Sequence, residues 1–250
     1  MVGTDDGAFE SLDSGLSWRR SGLEGRRVSA LARLKDGRVW AGGHGFLARS
    51  LDGGRSWADV RPPDLPSLDV RALSGSRDVG GRLEAAIGGE GIFRSDDGGS
   101  TFGRLGPSSE VGSAASALAE TIDGVIFLSD QHLGVVVNAN GDGQEWIEML
   151  SRSPASLAPN YGDLHNALLL AGTGEGIIRT TDKGVTWEEV LRLEGGAGCV
   201  AFSPDHIGLA YAIASDGTAY RSTDFGASWV TAVEAAFASA AADTGLIGLR

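Results

Sequence analysis

The chain has 250 residues, 42% of them hydrophobic and 22% charged, which allows one large soluble domain or two small ones. A formal net charge of −12 argues against nucleic acid or an anionic membrane as partner, and the single cysteine, Cys199, excludes an internal disulfide framework and any multi-cysteine metal site. No run approaches the roughly 20 apolar residues of a membrane span, and Met1–Asp6 lacks the basic flank and apolar core of a signal peptide, so the expected location is the cytoplasm.

The 39 glycines predict many turns, and the six tryptophans and eight phenylalanines predict a packed core. In chain order, Met1-Val2 reads as the end of a second strand that runs into the turn Gly3–Gly7. The next unit is complete: strands over Val28–Leu34, Arg38–Ala41, Phe46–Arg49 and Ser56–Val60, separated by Gly- and Asp-rich turns. Ser113–Ala119 is helical by propensity, but it aligns with the other first strands and is read as one. Cys199–Phe202, Leu209–Ile213 and Ala219–Arg221 repeat the pattern, which makes Cys199 a small buried hydrophobe and not a nucleophile. Trp40 falls in a second strand and reads as core. At the C-terminus, Ala236–Ala242 is expected as a first strand and Leu246–Leu249 as most of a second, so both chain ends would build one last sheet.

Between the third and fourth strands a turn recurs. It spans Ser11–Trp18, Ser50–Trp57, Ser95–Phe102, Thr180–Trp187 and Ser222–Trp229, all fitting Ser/Thr-x-Asp-x-Gly-x-Ser/Thr-Trp/Phe, with a decayed copy over Asn138–Trp146. The positions Asp13, Asp52, Asp97, Asn140, Asp182 and Asp224 recur at intervals of 39, 45, 43, 42 and 42 residues, and the remainder at the two ends amounts to one more interval of 39. Six equal units of four short strands predict an all-β fold, a single six-bladed β-propeller of four-stranded antiparallel blades over residues 1–250, its last blade closed by both termini. The Ser/Thr hydroxyl and Asp carboxylate satisfy the turn's own backbone donors. The aromatic residues (Trp18, Trp57, Phe102, Trp146, Trp187, Trp229) anchor the outer strand between blades. They are structural and not a ligand-stacking ladder.

These turns resemble the Asp-box (BNR) repeat, Ser/Thr-x-Asp-x-Gly-x-x-Trp/Phe, over essentially the whole chain. In style the sequence is most similar to photosystem II assembly-factor-like propellers and to uncharacterised bacterial BNR-repeat proteins. The resemblance implies a propeller whose binding site lies on the face opposite the boxes. It does not specify function, because sialidases, xyloglucanases and sortilin-like receptors carry the same repeat. The Phe/Tyr-Arg-Ile-Pro motif of sialidases is missing. Arg94 recurs as Arg49, Arg179 and Arg221, so it belongs to the repeat and is no substrate clamp.

On the face opposite the repeated turns, every unit places an acid or histidine between its second and third strands: Asp5, Asp6, His44, Glu90, Asp130, His132, Glu175 and Asp216. Ring symmetry would gather them at the channel mouth as a site for a cation, an amine or a hydroxyl-rich ligand. The plainer reading is that they are solvated turn residues. Two departures from the repeat, the proline-stiffened Arg61–Pro66 and the basic spot Arg19, Arg20, Arg26 and Arg27, are candidate partner contacts. None of His44, His132, His165 and His206 forms a His-x-His or His-x-x-x-His pair, so no metal and no cofactor are expected. The chain is read as a monomeric, non-catalytic binding or scaffold module for a protein or small polar ligand. The alternative is a sialidase-like glycoside hydrolase using ring acids such as Glu90 and Asp130, which would need carboxyls about 5–9.5 Å apart.

Overall fold

The computed structural model describes residues 1–13, 17–107, 110–161, 168–203, 206–233 and 247–248. These form six four-stranded antiparallel sheets and no helix. Blade one takes its three outer strands from Val2–Thr4, Gly7–Glu10 and Arg19–Arg20; blades two to six follow in order over 30–59, 70–104, 115–150, 156–192 and 197–233. Each blade's first strand touches the first strand of the next, right round the ring. The architecture is the expected six-bladed propeller.

Burial follows from stacking sheets face to face. The second strands Val39–Gly43, Leu83–Ile87, Ile126–Asp130 and Leu169–Thr173 are buried at every residue, because a neighbouring blade covers each face. The outermost strands Arg19–Arg20, Ala58–Asp59 and Gly103–Arg104 are exposed, and being short and polar they offer little edge for another chain to pair with. Ser113–Ala119 is strand from Ala115 on, and Cys199 and Trp40 are buried as expected.

The closing blade departs from expectation in one respect. Its first strand is Ile247–Gly248, paired antiparallel with Val2 and Gly3, and the second strand is supplied entirely by Val2–Thr4. Of the expected Leu246–Leu249, the described Ile247–Gly248 therefore forms the innermost strand and not part of a second; Ala236–Ala242 lies outside the described residues. The register decides this, since the N-terminal segment already occupies the second place and only the first is open.

The repeated turn has the same bonding in blades two, three, five and six. In blade two, Ser50 Oγ donates to Asp52 Oδ1 at 2.8 Å and accepts from Gly54 N–H at 2.7 Å, while Asp52 accepts from the Ser56 N–H and hydroxyl. Ser95 and Asp97, Thr180 and Asp182, and Ser222 and Asp224 repeat it. In blade one Asp13 likewise binds Ser11 and Ser17. In the decayed copy the carboxylate is Asp142 and not Asn140. Asp142 accepts from Asn138 Nδ2 and Gln144 N–H, Asn138 stands in for the serine by accepting from Gly143 N–H, and Asn140 is exposed. One extra residue in that turn moved the acid.

Each aromatic leans on the preceding blade. Trp57 donates Nε1–H to Ser21 O of blade one at 2.6 Å, Trp187 packs with Phe127 of blade four, and Trp18 packs with Cys199 and Ile213 of blade six, so the stacking runs through the closure. Phe102 is fully buried; the tryptophans are half-buried.

Hydrogen bonds from Ser17, Ser56 and Ser228 hold the carboxyls of Asp13, Asp52 and Asp224 at about 2, and those from Thr101 and Thr186 hold Asp97 and Asp182 below the ordinary value of 3.8. With depressed folded-state values, this stabilisation is present above pH 4 and is lost as pH falls through about 2. Thermal unfolding across pH 7 to 2 is expected to show it, with Asp52→Asn less stable at pH 5 and falling less steeply below pH 4. Equal slopes for the two proteins would contradict it.

Candidate functional site

The face opposite the repeated turns carries the turns between second and third strands together with the connections between blades. Backbone bonds tie the two sets: Gly45 N–H to Leu68 O, Gly89 N–H to Ser113 O, Gln131 N–H to Ala114 O and Ser215 N–H to Gly196 O. The connections bring arginines, and this changes the electrostatics of the face.

Asp5 meets Arg27 at 2.9 Å, Asp6 meets Arg20, Glu90 meets Arg104 at 3.8 Å and Glu175 meets Arg152 at 3.1 Å. The hydrogen bond from Arg20 holds the Asp6 carboxyl below its ordinary value, helped by the Gly25 N–H. Asp130 is buried and caps its own turn, accepting from His132 N–H at 2.9 Å and from Ala114 N–H at 3.2 Å. Asp216 likewise accepts from Thr218 N–H within its own turn. His132 lies exposed, 3.8 Å from Asp130. Asp5, Asp6, Glu90 and Glu175 thus each sit beside an arginine, while Asp130 and Asp216 are engaged by backbone N–H groups, so the face is not a bare acidic rim.

His44 behaves differently. Its Nδ1 lies 3.2 Å from Asp69 Oδ1, while Asp69 Oδ2 accepts from Arg71 Nε at 3.0 Å. The imidazole is 88% exposed, so the Asp69 contact orients it without burying it. Arg71 is placed there by a register shift in the first strand between Val70 and Ala72, and Ser116 and Gly198 sit at the same irregularity in blades four and six. Such bulges turn a side chain out of the sheet. Ser116 is turned toward Ser129, Ser153 and Pro154 O.

A hollow of about 530 Å³ lies on this face at the top of blade two, lined by Gly25, Arg26, Arg27, His44, Gly45, Phe46, Leu47, Asp59, Val60, Arg61 and Leu68. Phe46, Leu47, Val60 and Leu68 are the apolar part of a mixed lining. One wall is Arg26, paired with Asp59 through both guanidinium nitrogens and set over the Phe46 ring at 5.1 Å. Arg27 and the exposed Arg61 stand at its rim with His44. Glu90, Asp130, Glu175 and Asp216 do not line it; Glu175 borders a separate hollow of about 500 Å³ with Arg192 and Glu194. Asp69 and Arg71 are not among the candidates the sequence offers, whereas Arg61 opens the proline-stiffened connection that is one of them. Among the described residues no group of three or more His, Cys, Asp or Glu is placed to hold a metal ion, and no helix is long and apolar enough to cross a membrane.

No family model and no curated protein matches the sequence. Solved structures do match. The structure of YCF48 bound to D1 peptide superposes with a TM-score of 0.58 at 20% identity, over 92% of this chain and 78% of that one. YCF48 from Cyanidioschyzon merolae gives 0.55 at 18%, over 89% and 77%. The GH74 xyloglucanase from Xanthomonas campestris gives 0.63 at 16%, over 92% of this chain but 42% of its own, so this chain spans less than half of that enzyme. A nidogen/laminin complex gives 0.64 at 13%, over 82% and 79%. What these neighbours share with the chain is the propeller fold.

Proposed function

We propose that this propeller is a binding module that holds an acidic, partly apolar peptide segment of another protein at the top of blade two. The carrying observation is convergence: Arg26 and Arg27 of the basic spot and Arg61, which opens the proline-stiffened connection, line one hollow. That hollow gathers positive charge on a chain of net charge −12. Arg61, Arg27 and the oriented His44 suit carboxylates, and Phe46, Leu47 and Leu68 suit an apolar side chain between them. Bound peptide in the YCF48 structure and the paired chains of the nidogen/laminin complex show that neighbours of this fold take protein partners. We take the repeated turns as Asp boxes, residues 1–250 as one unit, and the arginine-paired acids Asp5, Asp6, Glu90 and Glu175 as the rim that positions the partner. Asp130, His132 and Asp216 complete that rim.

The hydrolase alternative asks for a proton-donating carboxyl with a raised pKa. At the hollow, Asp59 is instead held below its ordinary value by Arg26, and Asp69 is engaged by His44 and Arg71.

The test is fluorescence anisotropy with labelled nine-residue peptides, one set rich in Asp, Glu and Leu and a second with Lys replacing the acids. The acidic set is expected to bind, more weakly as salt rises, and Arg61→Ala with Arg27→Ala is expected to weaken it about tenfold or more. Equal binding of both sets, or no effect of the double substitution, would sink the proposal.

A further inference from the structure

At the seam between blades three and four, on the side of the repeated turns, two glutamates are buried, one of them where other blades carry Trp, Leu or Tyr. The position paired with the recurring third-strand arginine is Trp40 opposite Arg49, Leu170 opposite Arg179 and Tyr211 opposite Arg221. In blade three it is Glu84 opposite Arg94, with no exposed surface at all. Directly across the strand on its other side is Ser74, whose Oγ accepts from the Glu120 N–H of blade four at 2.9 Å. Paired residues on adjacent strands share a face, so Ser74, Glu84 and Arg94 form one row aimed at Glu120.

One oxygen of each carboxyl is accounted for. Glu84 Oε1 accepts from Arg94 Nη2 at 2.6 Å and Nε at 3.1 Å, and Glu120 Oε1 accepts from Arg82 at 3.1 Å. The other two atoms, Glu84 Oε2 and Glu120 Oε2, are buried with no hydrogen-bond partner. Arg82 also pairs with the exposed Asp96, and Asp142 of blade four acts on Arg94 from the adjacent turn. With both glutamates ionised, Glu84, Glu120, Asp96 and Asp142 set four negative charges against the two guanidiniums. A metal cation at such a place would have to displace arginines already bound, whereas a proton need displace nothing.

We propose that Glu84 and Glu120 share one proton between their two Oε2 atoms, a carboxyl–carboxylate hydrogen bond that joins blades three and four. One proton gives both orphan atoms a partner and lowers by one the excess of carboxylate charge around Arg82 and Arg94. Burial first, and the neighbouring Glu120 second, push the Glu84 carboxyl up to about 7, against the opposing pull of Arg94 and Arg82. A folded-state value raised above the unfolded one stabilises fully below the unfolded value of 4.5 and is lost as pH rises through about 7. The seam is therefore tight in mild acid and in mild alkali carries two buried carboxylates, each paired through one oxygen only, the proton having passed to solvent.

Two measurements test this. The melting temperature of the intact protein is expected to fall by roughly 5 °C or more between pH 5 and pH 9. In Glu84→Gln, whose amide donates in place of the proton, most of that fall should vanish. Identical slopes for the two proteins would overturn the proposal. Independently of any variant, ¹³C spectra of the glutamate carboxyls should show one carboxyl still titrating near neutrality. Complete ionisation of every glutamate below pH 5.5 would overturn it too.

Discussion

Replacing Trp40 with alanine is expected to remove about 3–5 kcal/mol of stability, a third or more of what a domain of ordinary stability possesses. The indole is fully buried in the second strand of blade two, in a cluster with Leu34, Leu47, Leu83, Phe93 and Phe102. It is therefore shared between blades two and three. Around it the packing is tight enough that a Cβ on Gly99, in the turn of blade three, would lie 2.2 Å from the ring. Neither sheet can collapse into the void, because each is held by its own ladder, so the cavity term adds to the lost transfer energy. Trp40 Nε1 has no hydrogen-bond partner, and Trp40→Phe, which deletes that donor while keeping a ring, should cost distinctly less. Urea unfolding of the two variants decides the matter. Equal losses would mean that the ring volume is not what the seam depends on.

A second large effect is expected from a change of one methyl group. Gly43→Ala would set a Cβ 2.1 Å from the Arg27 carbonyl oxygen and 2.6 Å from the Phe46 ring. The first obstacle is backbone and cannot rotate away. The cost should sit at or beyond the upper end of the ~1–3 kcal/mol typical of overpacking. The displaced groups also line the proposed peptide hollow, so binding should fail in the fraction that still folds. Gly45→Ala, two residues on, is the control. Its Cβ would meet nothing within 4 Å, and only the positive φ of 82° opposes it, at a cost of about 1 kcal/mol. If Gly45→Ala proves as damaging as Gly43→Ala, backbone strain and not overlap governs this turn.

The fold was legible because the repeat is local. Ser50, Asp52, Gly54 and Ser56 bond within seven residues, so their spacing alone announces the turn. Legibility stops where the physics becomes long-range. Arg27 neutralises Asp5 and Arg152 neutralises Glu175 across 22 and 23 residues, and no pattern within a unit predicts such pairs. An acidic rim inferred from the turns alone therefore missed the arginines standing beside it. Register was hidden for the same reason. Nothing local distinguishes Ile247–Gly248 as a first strand from the second strand it was expected to begin. The exchange of Asn140 for Asp142 shows the limit of counting: in a turn one residue longer, the hydrogen bond is retained by a neighbouring acid and the aligned position is not.

The pairing of Val2 and Gly3 with Gly248 and Ile247 sets an order of events. Blades two to six are each contiguous in the chain and are complete as soon as their own forty-odd residues have left the ribosome, free to stack in sequence. Val2–Thr4, Gly7–Glu10 and Arg19–Arg20 have no inner neighbour until Ile247–Gly248 emerges, because the paired segments lie at opposite ends of the propeller sequence. Closing so long a loop carries the largest entropy of any contact in the molecule, and contacts of this separation form late. During synthesis the second strand of blade one is thus an open edge, the stretch that a chaperone or a second nascent chain would meet first.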